Sequence, residues 1–101
     1  MNLYEALPSE EIERLKMIEE MAGLFFSPEL IAVNIELTED ETEEFLAQIE
    51  ARNTFHFRTA AYYKGWLEAE VSLRTAIKQS AMNGSSPSQQ MMLNFQKEAR
   101  V

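Results

Sequence analysis

The feature that most constrains the fold is the stretch from Thr54 to Ala99. Phe55, Tyr62, Trp66, Ala69, Leu73, Ala76, Ile77 and Ser80 recur at three- and four-residue steps, the spacing that lines one face of an α-helix. Asn83-Gly84-Ser85-Ser86-Pro87 then breaks the pattern. Glycine supplies a left-handed cap, and serine followed by proline opens the next helix. The stretch is predicted to form a helix from Thr54 to Met82 and an antiparallel second helix from Pro87 to Arg100 carrying Met91, Met92, Phe95 and Ala99. The first would be roughly 43 Å long at ~1.5 Å per residue. A chain of 101 residues has little else with which to cover both ends of such a helix, so self-association is expected.

The upstream half carries its own start signals. Pro8 precedes Ser9, Ser27 precedes Pro28, and Thr38 is followed three residues later by Glu41, a capping box. Helices are therefore predicted near Glu10 to Gly23, Pro28 to Asn34 and Glu39 to Arg52. Ile12, Leu15, Ile18, Met21 and Ala22 share one face of the first. Leu30 and Ile31, with Ile35 after them, are the inward residues of the second; Phe45, Leu46 and Ile49 are the stripe of the third. The prediction is an all-α chain of about five helices. An acidic unit with helix-turn-helix character (1–52) is followed by a long helix and helical hairpin (53–101) that drives oligomerisation.

Charge divides the chain more sharply than its total of −8 suggests. Residues 1–51 hold 14 acidic and 2 basic side chains; residues 52–101 hold 3 acidic and 7 basic. Such asymmetry marks an interaction surface, either for a partner or between subunits. Glu39-Asp40-Glu41-Thr42-Glu43-Glu44 opens the third helix, and no lysine or arginine lies between Glu36 and Ala51. Phosphates repel carboxylates, so that helix is not expected to contact DNA even though a helix-turn-helix normally presents its second helix to the groove. Acidic groups in a first turn favour the helix dipole, and a solvated face explains Glu36, Asp40, Glu43 and Glu44 better than a metal site. The basic residues Arg52, Arg58, Lys64, Arg74 and Lys78 are spaced along the long helix. They are the candidate phosphate contacts, or the partners of another subunit's acidic half.

Enzyme chemistry finds few side chains to use. The absence of cysteine excludes disulfides, thiolate zinc sites and thiol nucleophiles. The single histidine, His56 in Phe55-His56-Phe57, has no second ligand or nucleophile in a recognised arrangement and reads as structural. No catalytic residue, metal or cofactor is expected. Tyr62-Tyr63-Lys64-Gly65-Trp66 interleaves aromatic and basic groups as single-strand binders do, but Tyr62 and Trp66 are one helical turn apart and read as packing. Glycine within a helix costs about 1 kcal/mol against alanine, which a close helix–helix approach would offset. Tyr62, Gly65, Trp66, Ala69, Leu73 and Ile77 are accordingly the candidate oligomer interface. With no signal peptide and no apolar run near the ~20 residues of a bilayer span, a cytoplasmic location without membrane contact is expected.

Three segments, in order, resemble the C-terminal portion of phage terminase small subunits: Lys64-Gly65-Trp66-Leu67-Glu68-Ala69-Glu70, Leu73-Arg74-Thr75-Ala76-Ile77 and Ala81-Met82-Asn83-Gly84-Ser85-Ser86-Pro87-Ser88-Gln89. Ser27-Pro28-Glu29-Leu30-Ile31-Ala32 is similar to the helix-turn-helix start of that family, and the resemblance spans about residues 25–97. It implies a non-catalytic DNA-packaging component in a bacterial host cell. Such proteins bind double-stranded viral DNA, assemble as homo-oligomeric rings through their long helices, and hand DNA to a large subunit with ATPase and nuclease activity. The acidic third helix departs from the family's pattern, which moves the expected DNA contact to Arg52 and the basic positions of the long helix. The alternative is an acidic helical adaptor or regulator that docks a basic protein and binds no DNA.

Overall fold

A computed structural model of the chain describes residues 6–99. The fold is all-α, with α1 (Ser9–Gly23), α2 (Pro28–Asn34), α3 (Glu39–Glu50), α4 (Phe57–Met82) and α5 (Ser86–Ala99). No strand occurs among the described residues. Arg100, expected to end the last helix, lies outside them.

Local chemistry sets the helix starts. The Ser27 hydroxyl accepts from the Leu30 amide, and Pro28 takes the first helical position, where no amide is needed. Thr38 and Glu41 form a full capping box, each side chain accepting from the other's backbone amide. At α5, Ser85 rather than Ser86 accepts from the amide three residues on, so the helix opens one residue earlier than the Ser-Pro pair suggests. α4 starts at Phe57 rather than Thr54. Residues 53–56 form a turn instead, with the Asn53 carbonyl accepting from the His56 amide.

Helix ends share one device. α1, α2, α3 and α4 each close with paired backbone bonds around a residue of positive φ. Gly84 occupies that position after α4 (φ +96°), but Phe25, Glu36 and Arg52 occupy it after the other three (φ +64°, +57° and +57°). A side chain in the left-handed region costs about 1–2 kcal/mol, which the paired backbone bonds at these three turns offset.

The chain comprises two units, one up to Glu68 and one from Ala69. This division falls inside α4, whereas the charge and helix pattern of the sequence puts a boundary at 52/53. The reason is burial: Thr59, Ala61 and Gly65 of α4 belong to the N-terminal core. That core contains Leu15, Ile18, Ala22, Ile31, Ala32, Ile35, Phe45 and Ala61, with Leu37, Ile49, Phe57 and Tyr62 packed against it. Of the three residues expected to face inward around α2, Ile31 and Ile35 are buried and Leu30 is exposed; Ala32 takes the remaining place in the core. Phe55, placed on the long helix by its spacing, precedes the helix and is 97 % exposed.

In the second unit, α5 follows the end of α4 around Gly84 as a helical hairpin. Arg74 ties it together. Its Nε donates to Glu70 at 2.9 Å, Nη2 lies 3.6 Å from Glu98, and the guanidinium sits 4.0 Å from the centre of the Phe95 ring. Gln89 Nε2 donates to the Ala81 carbonyl at 3.1 Å. No described residue of α5 is buried.

Candidate functional site

The five candidate phosphate-binding cations meet different fates. Arg58 is taken up within the first unit: Nε and Nη2 donate to the two Glu11 oxygens at 2.8 and 2.9 Å, and Nη2 also reaches Glu41 at 3.2 Å. This fork joins α1, α3 and α4 through a largely covered guanidinium. The Arg58 hydrogen bond holds the Glu11 carboxyl below its usual range, and the Thr38 backbone amide, followed by Arg58, does the same for Glu41. Arg74 is similarly committed, to Glu70, Glu98 and Phe95. Lys64 makes a loose 3.6 Å pair with Glu19 and stays 60 % exposed. Arg52 and Lys78 are exposed and have no ion pair among the described residues. Arg58 is thus the one largely covered cation of the five, and Arg74 is paired within the hairpin but 40 % exposed at its side chain.

The candidate interface residues also separate. Gly65 meets its close approach inside its own chain. A Cβ there would lie 1.9 Å from the Glu19 carbonyl oxygen, so α1 and α4 cross backbone to backbone at this point. Gly23 is the matching residue on α1, its missing Cβ 3.3 Å from the Gly65 oxygen. Trp66 packs edge-on to Phe25 (6.3 Å between ring centres, 81°), and Tyr62 lies edge-on to Tyr63 at 5.3 Å. Burial, then Tyr63 and Glu29, push the Tyr62 phenol up. Tyr63 donates to the Ile49 carbonyl at 2.8 Å. The aromatic-basic run thus serves internal packing in the first unit. Ala69, Leu73 and Ile77 lie in the second unit: Ile77 and Ala69 are half-buried, while Leu73 is exposed.

Around α4 within the hairpin, Glu70, Arg74, Ile77 and Ala81 are the more covered positions. Val71, Thr75, Lys78 and Met82 share a second face, and Leu73, Ala76 and Ser80 a third; all seven are exposed. Apolar side chains that face water on more than one side of a helix gain from being covered. Here α5 covers one, leaving Val71 55 % and Met82 76 % exposed. On α5 itself, Met91 and Leu93 are exposed while Met92 and Phe95 are half-covered.

The acidic opening of α3 is solvated: Glu39, Asp40, Glu43 and Glu44 are all exposed. Among the described residues no group of three or more acidic or histidine side chains converges as metal ligands would. His56 Nδ1 is buried without a hydrogen-bond partner, as is the Thr59 hydroxyl. Glu10, Glu13, Arg14, Met17, Asn34, Ile35 and Glu36 line an open groove between α1 and the end of α2. No described helix is long and apolar enough to cross a membrane.

One surface has no counterpart among the expectations from sequence. Leu24, Phe25 and Phe26 in the α1–α2 turn, with Leu30 and Val33 on α2, are all exposed. A signal for it exists: Leu30, Ile31, Val33 and Ile35 crowd α2 and its cap, and a seven-residue helix cannot turn all of them inward. Compared with family models, curated proteins and solved structures, the chain matches none.

Proposed function

We propose that this chain is a non-catalytic, self-associating protein of DNA packaging, in the manner its resemblance to terminase small subunits implies. The observation that supports this reading best is the hairpin, which presents apolar side chains on several faces and buries none of its α5 residues. Side chains so placed gain by association, because each apolar surface removed from water contributes about 25 cal/mol per Å². DNA contact then falls to Arg52, Lys64 and Lys78, since Arg58 and Arg74 are engaged within the chain. Repetition of these cations around a homo-oligomer supplies what three exposed charges on one chain do not. A large packaging subunit is the further partner of this reading.

The test pairs light scattering after size exclusion with titration of a fluorescent DNA duplex at two salt concentrations. The expected result is a defined mass well above 11.7 kDa and binding that weakens steeply with salt. Neutralising Arg52, Lys64 and Lys78 together should lower affinity equally for unrelated sequences and flatten the salt slope. A monomer, or an oligomer that ignores duplex DNA, overturns the packaging role.

A second reading has its own observation. The exposed carboxylates of α3 face solvent next to an arginine that is already neutralised, as an acidic adaptor for a basic protein would present them. Loss of binding to a basic partner after Glu39, Asp40, Glu43 and Glu44 are changed to glutamine would support it.

A further inference from the structure

We infer that the exposed apolar face formed by the α1–α2 turn and α2 receives the hairpin of a second copy of this chain, making a contact between two unlike surfaces. The inference rests on the self-association proposed above and identifies the two halves of the contact.

The receiving half is built into the first unit. Leu24, Phe25, Phe26, Leu30 and Val33 are between 43 and 75 % exposed. They lie within ten residues of chain, on a turn and a helix only about 10 Å long. Two features fix the patch in place. Ile31, Ala32 and Ile35 anchor the opposite side of α2 in the core, so Leu30 and Val33 cannot turn inward. Phe25 is held at φ +64°, a conformation that a bulky residue adopts only under constraint, with its ring edge-on to Trp66. An apolar surface kept outward by a strained turn is a surface shaped for a partner.

Charge selects the occupant. Residues 1–68 carry 15 acidic and 5 basic side chains, a net of −10, and residues 69–101 carry 2 acidic and 4 basic, a net of +2. Glu29 and Glu36, both exposed, bracket Leu30 and Val33 along the chain. The hairpin offers the complement: Lys78 lies between Val71 and Met82 on one exposed face of α4, and Lys97 is in the last turn of α5. Pairing patch with patch would bring two strongly acidic units together, and pairing that face of α4 with itself would bring the Lys78 cations of both copies into one contact. Unlike pairing avoids both repulsions. A contact of this kind repeats from copy to copy, closing into a ring or running on as a filament according to its rotation.

Such a contact can be broken from either side and restored by mixing. The patch variant is Leu30→Glu with Val33→Glu; the hairpin variant is Val71→Glu with Met82→Glu. Helicity and thermal unfolding check that each variant folds, and glutamine at the same four positions is the substitute if glutamate disturbs either. Each variant alone should run as a single chain of 11.7 kDa, while an equimolar mixture should give a one-to-one complex of twice that mass. The mixture recovers one intact contact, from the hairpin of the first variant and the patch of the second. A patch variant with the mass of the unaltered protein would overturn the unlike contact and leave self-association standing. Two single-chain variants that fail to combine would also overturn it. An unaltered protein of single-chain mass would overturn the self-association reading itself.

Discussion

The two units use the same secondary structure to opposite ends. Up to Glu68, short helices bury Leu15, Ile18, Ile31 and Phe45 almost completely, and polar side chains such as Arg58 are spent on holding helices together. From Ala69 onward the helices touch through Arg74 with Glu98 and Phe95, the Gln89–Ala81 hydrogen bond and a few half-covered side chains, and apolar residues face water. The first unit therefore carries its stabilisation inside itself. The second has surface to gain from association and a charge opposite to the first. The exposed residues of the hairpin, Val71, Leu73, Met82 and Leu93, are apolar rather than lysine and glutamate, and the self-association proposed above rests on that difference.

Substitutions can break or sharpen this contrast. The largest effect is expected at Gly65→Ala. The added methyl would collide with the Glu19 backbone, which no rotamer change relieves, so the first unit should lose about 3 kcal/mol or more by urea unfolding. A loss below about 1 kcal/mol would show that the α1–α4 crossing yields easily.

Arg58→Gln comes next, with a loss of about 2 kcal/mol at pH 7 as a bidentate pair and its link to Glu41 disappear. Because Glu11 has its pKa lowered in the folded state, its contribution is complete above the usual value of ~4.3 and is lost as pH falls through the lowered one. The difference between the two proteins should therefore shrink on acidification, and an unchanged difference at about pH 3 would exclude this linkage.

A smaller, opposite effect is expected at Arg52→Gly. Relief of the left-handed strain outweighs the extra freedom of the unfolded chain, giving a gain of about 0.5 kcal/mol in thermal unfolding. The smallest change belongs to the hairpin. Leu93→Gln, at an exposed site, should alter stability by no more than about 0.5 kcal/mol in the single chain. A larger loss would mean that the hairpin has a core of its own.

Local signals are legible in this sequence and long-range ones are not. Ser27-Pro28, the Thr38–Glu41 box and Gly84 announce helix boundaries because each acts through hydrogen bonds or φ preferences within a few residues. The ends at Phe25, Glu36 and Arg52 leave no such mark, since no residue type there asks for positive φ. Gly65 announces a close approach but not its partner, which lies on α1, 46 residues earlier in the chain. Arg58 reads as a free cation because its carboxylates come from α1 and α3, and only the fold brings them together. The stripe of the long helix reads as one interface, whereas Tyr62 and Trp66 pack in the first unit and Leu73 is left outside. Spacing alone gives every turn of a helix the same weight; burial does not.

α4 continues without a break past Glu68. Starting a helix in water is the unfavourable step, because several residues must be fixed for the first hydrogen bond, whereas each added residue extends the ladder at little net cost. In this chain Thr59 and Ala61 are buried in the first unit, whose core holds that part of α4 helical. The turns beyond it need only propagate, so the hairpin borrows its nucleus from the folded unit. A partner that covers Val71 and Met82 would therefore meet a surface already wound.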